Sequence, residues 1–252
     1  MDAHCVRYPD QRPVVIGVLS GVADLAYLGG RRPTPVGPSH QPVRETVHVT
    51  ADHYFTAEPG TPVHRREVEF TVAGRDYTLA VANGVFSPGR LDPGTAVLLR
   101  KADLPTDANA GAMLDLGCGY GPIACVLAAE APAATVYAID VNSRALQLAA
   151  ENAATVGAAG RVHVSTPDEV PADVTFSQIW SNPPIHIGKA ELHALLDRWL
   201  SRLAPDGVAW LVVNRHLGGD SLHAWLEDRG WHVYRQASQK GFRVLRVTRK
   251  TD

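Results

Sequence analysis

The sequence predicts an α/β fold with a mostly parallel seven-stranded sheet, helices on both faces, and a small β-hairpin module ahead of it. Three observations carry that prediction. Apolar segments near 112, 135, 162, 176 and 208 alternate with helical stretches, the pattern of parallel strands joined by crossover helices. A glycine-rich turn joins the first of these strands to the helix behind it. Two more strand-like segments, near Trp231 and Phe242, are separated by only a short loop and predict an antiparallel pair at the sheet edge.

Taken in order, residues 1–44 are rich in Pro, Gly and Arg, show little periodicity and read as a loose arm. Residues 45–92 read as a small β-rich module, because Glu67 to Val72 and Arg75 to Ala82 alternate around Ala73-Gly74, a hairpin turn. Gly84 to Arg90 turns into a helix over Pro93 to Arg100, the start of a larger domain over 93–252. Its first strand, Ala112 to Leu116, runs into Gly117, Gly119 and Gly121, with Pro122 in the first turn of the next helix. The strand Thr135 to Ile139 ends in Asp140, ahead of a helix over Ser143 to Thr155. The strand Phe176 to Trp180 runs into Ser181-Asn182-Pro183-Pro184, and a helix over Ala190 to Leu203 precedes the strand near 208.

The chain has 252 residues and a net charge of -2, enough length for a full α/β core and no global attraction to nucleic acid. After Trp231, however, Arg235, Lys240, Arg243, Arg246, Arg249 and Lys250 face only Asp252. That imbalance reads either as a local RNA-facing edge or as a solvated edge strand blunted by cations. No apolar run is long enough for a membrane helix. Residues 13–28 come nearest to a signal sequence but are interrupted by Asp24 and glycines, so the expected location is the cytoplasm. Cys5, Cys118 and Cys125 have no metal-like spacing, and neither a disulfide scaffold nor a zinc site is expected.

The glycine turn carries chemistry. A dinucleotide loop needs Gly-x-Gly-x-x-Gly so that pyrophosphate can sit on the helix N-terminus; here the third glycine comes one residue early and Asp115 precedes the turn. An acid in that place suits a cationic ligand. S-adenosylmethionine has an ammonium, a sulfonium and no phosphate, so the spacing predicts a site for that cofactor. Asp140, at the end of the next strand, can accept hydrogen bonds from both ribose hydroxyls, although an N-cap of the following helix is an equal reading. Asn182 is held at a strand end by two prolines of fixed φ. Its side-chain oxygen and the Pro183 carbonyl form an acceptor pair suited to an exocyclic amine, whose lone pair is delocalised until both N–H groups are oriented. These residues predict methyl transfer to such an amine.

Asn-Pro-Pro-Ile-His-Ile-Gly-Lys at 182–189, Gly-Val-Phe-Ser-Pro-Gly-Arg-Leu-Asp-Pro-Gly-Thr at 84–95 and His-Tyr-Phe-Thr at 53–56 occur in that order. Together they resemble the small-domain ribosomal RNA guanine-N2 methyltransferases, over about residues 47–250. The resemblance implies a class I methyltransferase fold, S-adenosylmethionine as donor, and a guanine amine in small-subunit rRNA, free or in the subunit, as acceptor. It implies cofactor contacts at Asp115, Gly117, Cys118, Gly119, Asp140, Val141, Thr166 and Asn182. It also implies an amine-orienting pair at Asn182 and Pro183. Phe86, Arg90 and Thr95 resemble the segment that closes over the site, with Pro184, Ile185 and Lys189 on the substrate side.

Two departures stand out. Ile185 occupies a place where many members have an aromatic to stack on the base. Ser165 to Asp168 offers only Thr166 or Asp168 toward an adenine amine. A glutamine N5 methyltransferase, which also uses Asn-Pro-Pro, is the nearest rival, with DNA adenine methylation behind it. A non-catalytic RNA-binding assembly factor is the reading from another class.

Overall fold

In the computed structural model, residues 64–85, 89–109, 111–184 and 187–250 are described. The arm over 1–44, the 53–56 motif, Phe86 and Ile185 lie outside them. Two antiparallel strands come first, β1 (Arg65–Val72) and β2 (Arg75–Ala82). Their turn places Ala73 and Gly74 both at positive φ, the two-residue geometry whose twist matches the flanking strands. Val68, Val72, Leu79 and Val81 are buried, and Phe70 stacks on Tyr77 with ring centroids 5.1 Å apart.

The main sheet is built from β3 (Ala112–Leu116), β4 (Thr135–Ile139), β5 (Val162–Ser165), β6 (Phe176–Ser181), β7 (Leu203–Asn214), β8 (Trp231–Gln239) and β9 (Phe242–Arg249). The order across it is β5-β4-β3-β6-β7-β9-β8. β9 runs antiparallel to both neighbours and the other pairings are parallel. From β3 the chain adds β4 and β5 on one side and β6 and β7 on the other, so the order of connection reverses between β3 and β6, the switch point at which open α/β sheets bind ligands.

Side-chain alternation divides the core. Met113, Trp180, Trp210 and Val244 face one way, toward α1 (Pro93–Lys101), α2 (Pro122–Glu130), α3 (Ser143–Thr155) and the hairpin. Leu114, Ile179, Leu211 and Leu245 face the other, toward α4 (Lys189–Leu200) and α5 (Gly219–Asp228). Two expectations shift. The helix expected to reach Leu203 stops at Leu200, because β7 begins at Leu203, where it pairs with Phe176. α5 had no counterpart in the sequence reading. Its first residues, Gly219 and Asp220, follow Gly218 in a left-handed conformation and so look like loop. Among the described residues no helix is long and apolar enough to cross a membrane.

Asn152, buried in α3, ties the hairpin to the main sheet's loop. Its oxygen accepts the Ala80 N–H at 2.7 Å, and its amide donates to the Ala80 and Tyr120 carbonyls at 2.8 Å each. Asn152→Ala is expected to cost about 2–3 kcal/mol, because the three partner groups lose a buried acceptor or donor. Urea unfolding measures it; a loss within about 0.5 kcal/mol, as for an ordinary surface change, would show that water replaces the amide at no cost.

Candidate active site

The turn after β3 is fixed by its neighbours. Gly117 and Cys118 donate backbone N–H bonds to the Ile139 carbonyl at 2.9 Å, and Gly119 donates to Asp140 Oδ2 at 2.9 Å. Gly119 is at φ 55°, with open space where a Cβ would stand, so backbone conformation requires glycine there and the space is left for a ligand. Gly121 differs: a Cβ would lie 3.1 Å from both Cα and Cβ of Ala149, so it also permits α2 and α3 to approach.

Asp115 lies beneath this turn, not at its mouth. Strand alternation turns it inward with Met113, fully buried, where Oδ2 accepts the Ala124 N–H of the first turn of α2 at 2.9 Å. Its Oδ1 is buried without a hydrogen-bond partner. Burial pushes this carboxyl up to about 7; the Ala124 N–H opposes the shift and nearby Asp140 adds to it. The helix N-terminus that would cradle phosphate in a dinucleotide site is thus partly occupied by an acid from below.

Above the turn is a cavity of about 530 Å³ across the C-terminal ends of β3, β4, β6 and β7, well within the size of ligand pockets. It brings together Gly117, Cys118, Gly119, Asp140, Val141, Asn182, Pro183 and Pro184, as well as Thr95. Its described lining holds three carboxylates, Asp92, Asp140 and Glu191, and neither Lys nor Arg. Such a lining repels phosphate and attracts a cation. S-adenosylmethionine fits this donor set: acids for its positive groups, Asp140 for a diol, and Val141, Ile123 and Leu116 as apolar wall.

Asp140 is not the cap of α3. That place belongs to Asn142, whose side chain accepts from Arg144 and Ala145 N–H. Asp140 instead accepts from Gly119 and from the Asn142 N–H at 2.9 Å each. Burial raises its pKa, opposed by N–H groups of Asn142, Gly119 and Val141. The two described cysteines supply no nucleophile: burial pushes the Cys118 thiol well up and Cys125 to about 12, which leaves both protonated at neutral pH.

At the far wall, Ser181 donates to the Leu116 carbonyl at 2.7 Å and fixes the end of β6 against β3. The Asn182 amide donates to Asp92 Oδ1 at 2.6 Å and to Thr95 Oγ1 at 3.1 Å. A carboxylate can only accept, so the NH2 of Asn182 must face Asp92 and its oxygen is the group left to accept.

Several expected residues stand elsewhere. Thr166 directs both its N–H and its hydroxyl to Glu169 Oε2, at 2.7 and 2.8 Å, and its neighbour Pro167 lines the cavity instead. Asp168 pairs with Arg198 at 2.9 Å. Arg90 and Lys189 are exposed and lie outside the cavity lining. Sequence reasoning did not single out Asp92, Tyr120, Glu191, Asn214 or Phe242, all of which line it. The Asp-Pro at 92–93, an N-cap followed by proline at the helix start, was the signal available for Asp92. Phe242 gave none, since it arrives from an antiparallel strand 60 residues after Asn182. In the basic tail, Arg235 and Arg243 pair with Asp220, and Arg249 donates to the Ser201 and Leu203 carbonyls. Arg246 lies opposite exposed Tyr234.

This sheet order, with a glycine turn and an acid-ended strand around one cavity, defines the class I methyltransferase fold. The chain belongs to the methyltransferase small domain family, whose match spans residues 76–246. It is 32% identical over 200 residues to the uncharacterized protein YbxB of Bacillus subtilis, covering 78% of this chain and 98% of that protein. It is 33% identical over 168 residues to ribosomal RNA small subunit methyltransferase C of Alcanivorax borkumensis, covering 65% of this chain and 50% of the relative. For the protein of that name from Aeromonas hydrophila the figures are 38% over 149 residues, 56% and 41%. The chain thus spans about half the length of these ribosomal relatives. Among solved structures it resembles a T. thermophilus 16S rRNA N2 methyltransferase in complex with AdoMet and guanosine. The TM-score is 0.62 at 23% identity, covering 76% of this chain and 52% of that one, a likeness of fold.

Proposed function

We propose that this chain transfers a methyl group from S-adenosylmethionine to the N2 amine of a guanine in small-subunit rRNA, acting in the cytoplasm. The observation that carries the reading is the Asn182 amide. It lines the acid-lined cavity with its NH2 bound at 2.6 Å to Asp92, so its oxygen is committed to accepting. An acceptor beside the donor methyl is what a conjugated amine needs. With its hydrogens held, the amine lone pair would be aimed at the methyl group that S-adenosylmethionine supplies; a new nitrogen–carbon bond would replace the carbon–sulfur bond, S-adenosylhomocysteine would leave, and the extra proton on nitrogen would pass to solvent.

The cofactor supplies the electrophilic methyl. This chain supplies Asp140 for the ribose, the turn at 117–119 for close approach, and Asn182 with Pro183 for the amine. Asp115 acts through the turn. Phe242 gives the cavity an aromatic wall for a flipped base, a role the sequence had left open at Ile185. The names of the ribosomal relatives support the acceptor class.

The test is transfer of labelled methyl, side by side, into purified release factor and into small ribosomal subunits isolated from a strain lacking this gene, the rRNA then being digested to nucleosides. N2-methylguanosine is the expected product. Label found instead in release-factor glutamine, with none in rRNA, would reject the assignment.

A further inference from the structure

We infer that Asp92 is a positioning residue: it selects the orientation of the Asn182 amide, over and above capping α1. The inference rests on the reading of Asn182 as the amine-orienting group. One atom, Asp92 Oδ1, accepts both the Thr95 N–H at 2.9 Å, which is the cap, and the Asn182 NH2 at 2.6 Å. Capping alone is served equally well by Ser, Asn or Asp. The second bond is different in kind.

An asparagine amide turned by half a circle exchanges donor for acceptor in nearly the same space. Turned that way, Asn182 would offer NH2 hydrogens to an amine that has only hydrogens to give, and the substrate would be unoriented. Asp92 excludes this state, because the amide oxygen would then face a carboxylate oxygen at hydrogen-bond distance. Thr95 Oγ1, at 3.1 Å, is the second acceptor. A charged acceptor on the NH2 also draws electron density toward the amide oxygen and strengthens it as an acceptor.

The surroundings accommodate this contact closely. Gly94 follows within α1, and a Cβ there would lie 3.0 Å from Asp92 Oδ1 and 3.0 Å from Phe242 Cε1. Glycine at that point lets the carboxylate and the aromatic wall of the cavity close on the same spot. The two partners are 90 residues apart in the chain, so local structure does not demand their bond.

Asp92→Ser separates the two jobs, since a serine hydroxyl still caps Thr95 but falls short of Asn182. With small ribosomal subunits as acceptor, kcat is expected to fall about 10- to 100-fold, as for a misplaced reacting group. The Kd for S-adenosylhomocysteine by calorimetry should rise far less than kcat falls, because Asp140 and Glu191 keep the lining acidic and the lost contact acts on the amine in the transition state. The side-chain NH2 resonances of Asn182, followed by NMR without substrate, should lose their slow exchange and downfield shift. Asp92→Asn, which can still present an oxygen to both partners, should recover part of the rate. A kcat for Asp92→Ser within about twofold of the parent, with Asn182→Ala inactive, overturns the positioning role and leaves the reading of Asn182 intact. If Asn182→Ala also turns over at the parent's rate, the amine clamp itself is refuted. Unchanged Asn182 resonances in Asp92→Ser overturn the tether whatever the activity.

Discussion

Asn182→Ala is expected to lower methyl transfer by about a hundred- to a thousandfold, the scale for removing one preorganised polar contact to a reacting group, with cofactor affinity nearly unchanged. The split follows from the site's construction. Cofactor contacts assigned to the turn at 117–119 and to Asp140 come from β3 and β4, held by the Ile139 carbonyl and the Gly119 N–H. Asn182 comes from β6, anchored separately by Ser181 on the Leu116 carbonyl. Removing the amide leaves that anchor in place, so the cavity persists while the amine loses an acceptor. Single-turnover rates with labelled donor, paired with calorimetry, read the two effects apart. Unchanged turnover would remove Asn182 from the chemistry; a large loss of cofactor affinity would move it to the cofactor.

The parts of this site legible in the sequence are those written in contiguous residues. A strand, a turn needing positive φ, and a proline at the helix start are all local, and the run from Ala112 to Pro122 displays them in one stretch. The apolar run likewise marked β6, and the prolines after it marked the strand end. What escaped was contact across the chain. Asp92 looks like an ordinary cap until α1 is laid across β7 and β9 and its start meets Asn182, and Phe242 looks like a core aromatic until β9 is inserted antiparallel beside β7. The direction of Asp115 was knowable in principle, since alternation from Met113 turns it to the α2 face. Its acidity beside a glycine turn pointed to ligand contact, whereas burial and the free N–H of Ala124 point it inward.

That inward placement predicts a pH dependence opposite to the usual behaviour of a carboxylate. The folded pKa of Asp115 stands near 7 against 3.8 for the free group. At pH values well below 3.8 the residue is protonated in both states and costs nothing. As pH rises from there, the unfolded chain ionises first, and stability falls until the folded carboxyl ionises near 7, after which the deficit is constant. The full deficit is on the order of 4 kcal/mol, of which about 3 falls between pH 5 and 8. Asp115→Asn removes it: the amide oxygen can still accept the Ala124 N–H, and the NH2 takes the place of Oδ1, which has no partner to lose. Urea unfolding of both proteins across that range should show their difference growing to about pH 7 and then levelling; a flat difference refutes the shifted carboxyl. A cation over the turn favours the ionised form, so binding it releases a proton from Asp115. Affinity for S-adenosylmethionine relative to S-adenosylhomocysteine, which lacks the sulfonium charge, should therefore rise with pH up to about 7 in the parent and not in Asp115→Asn.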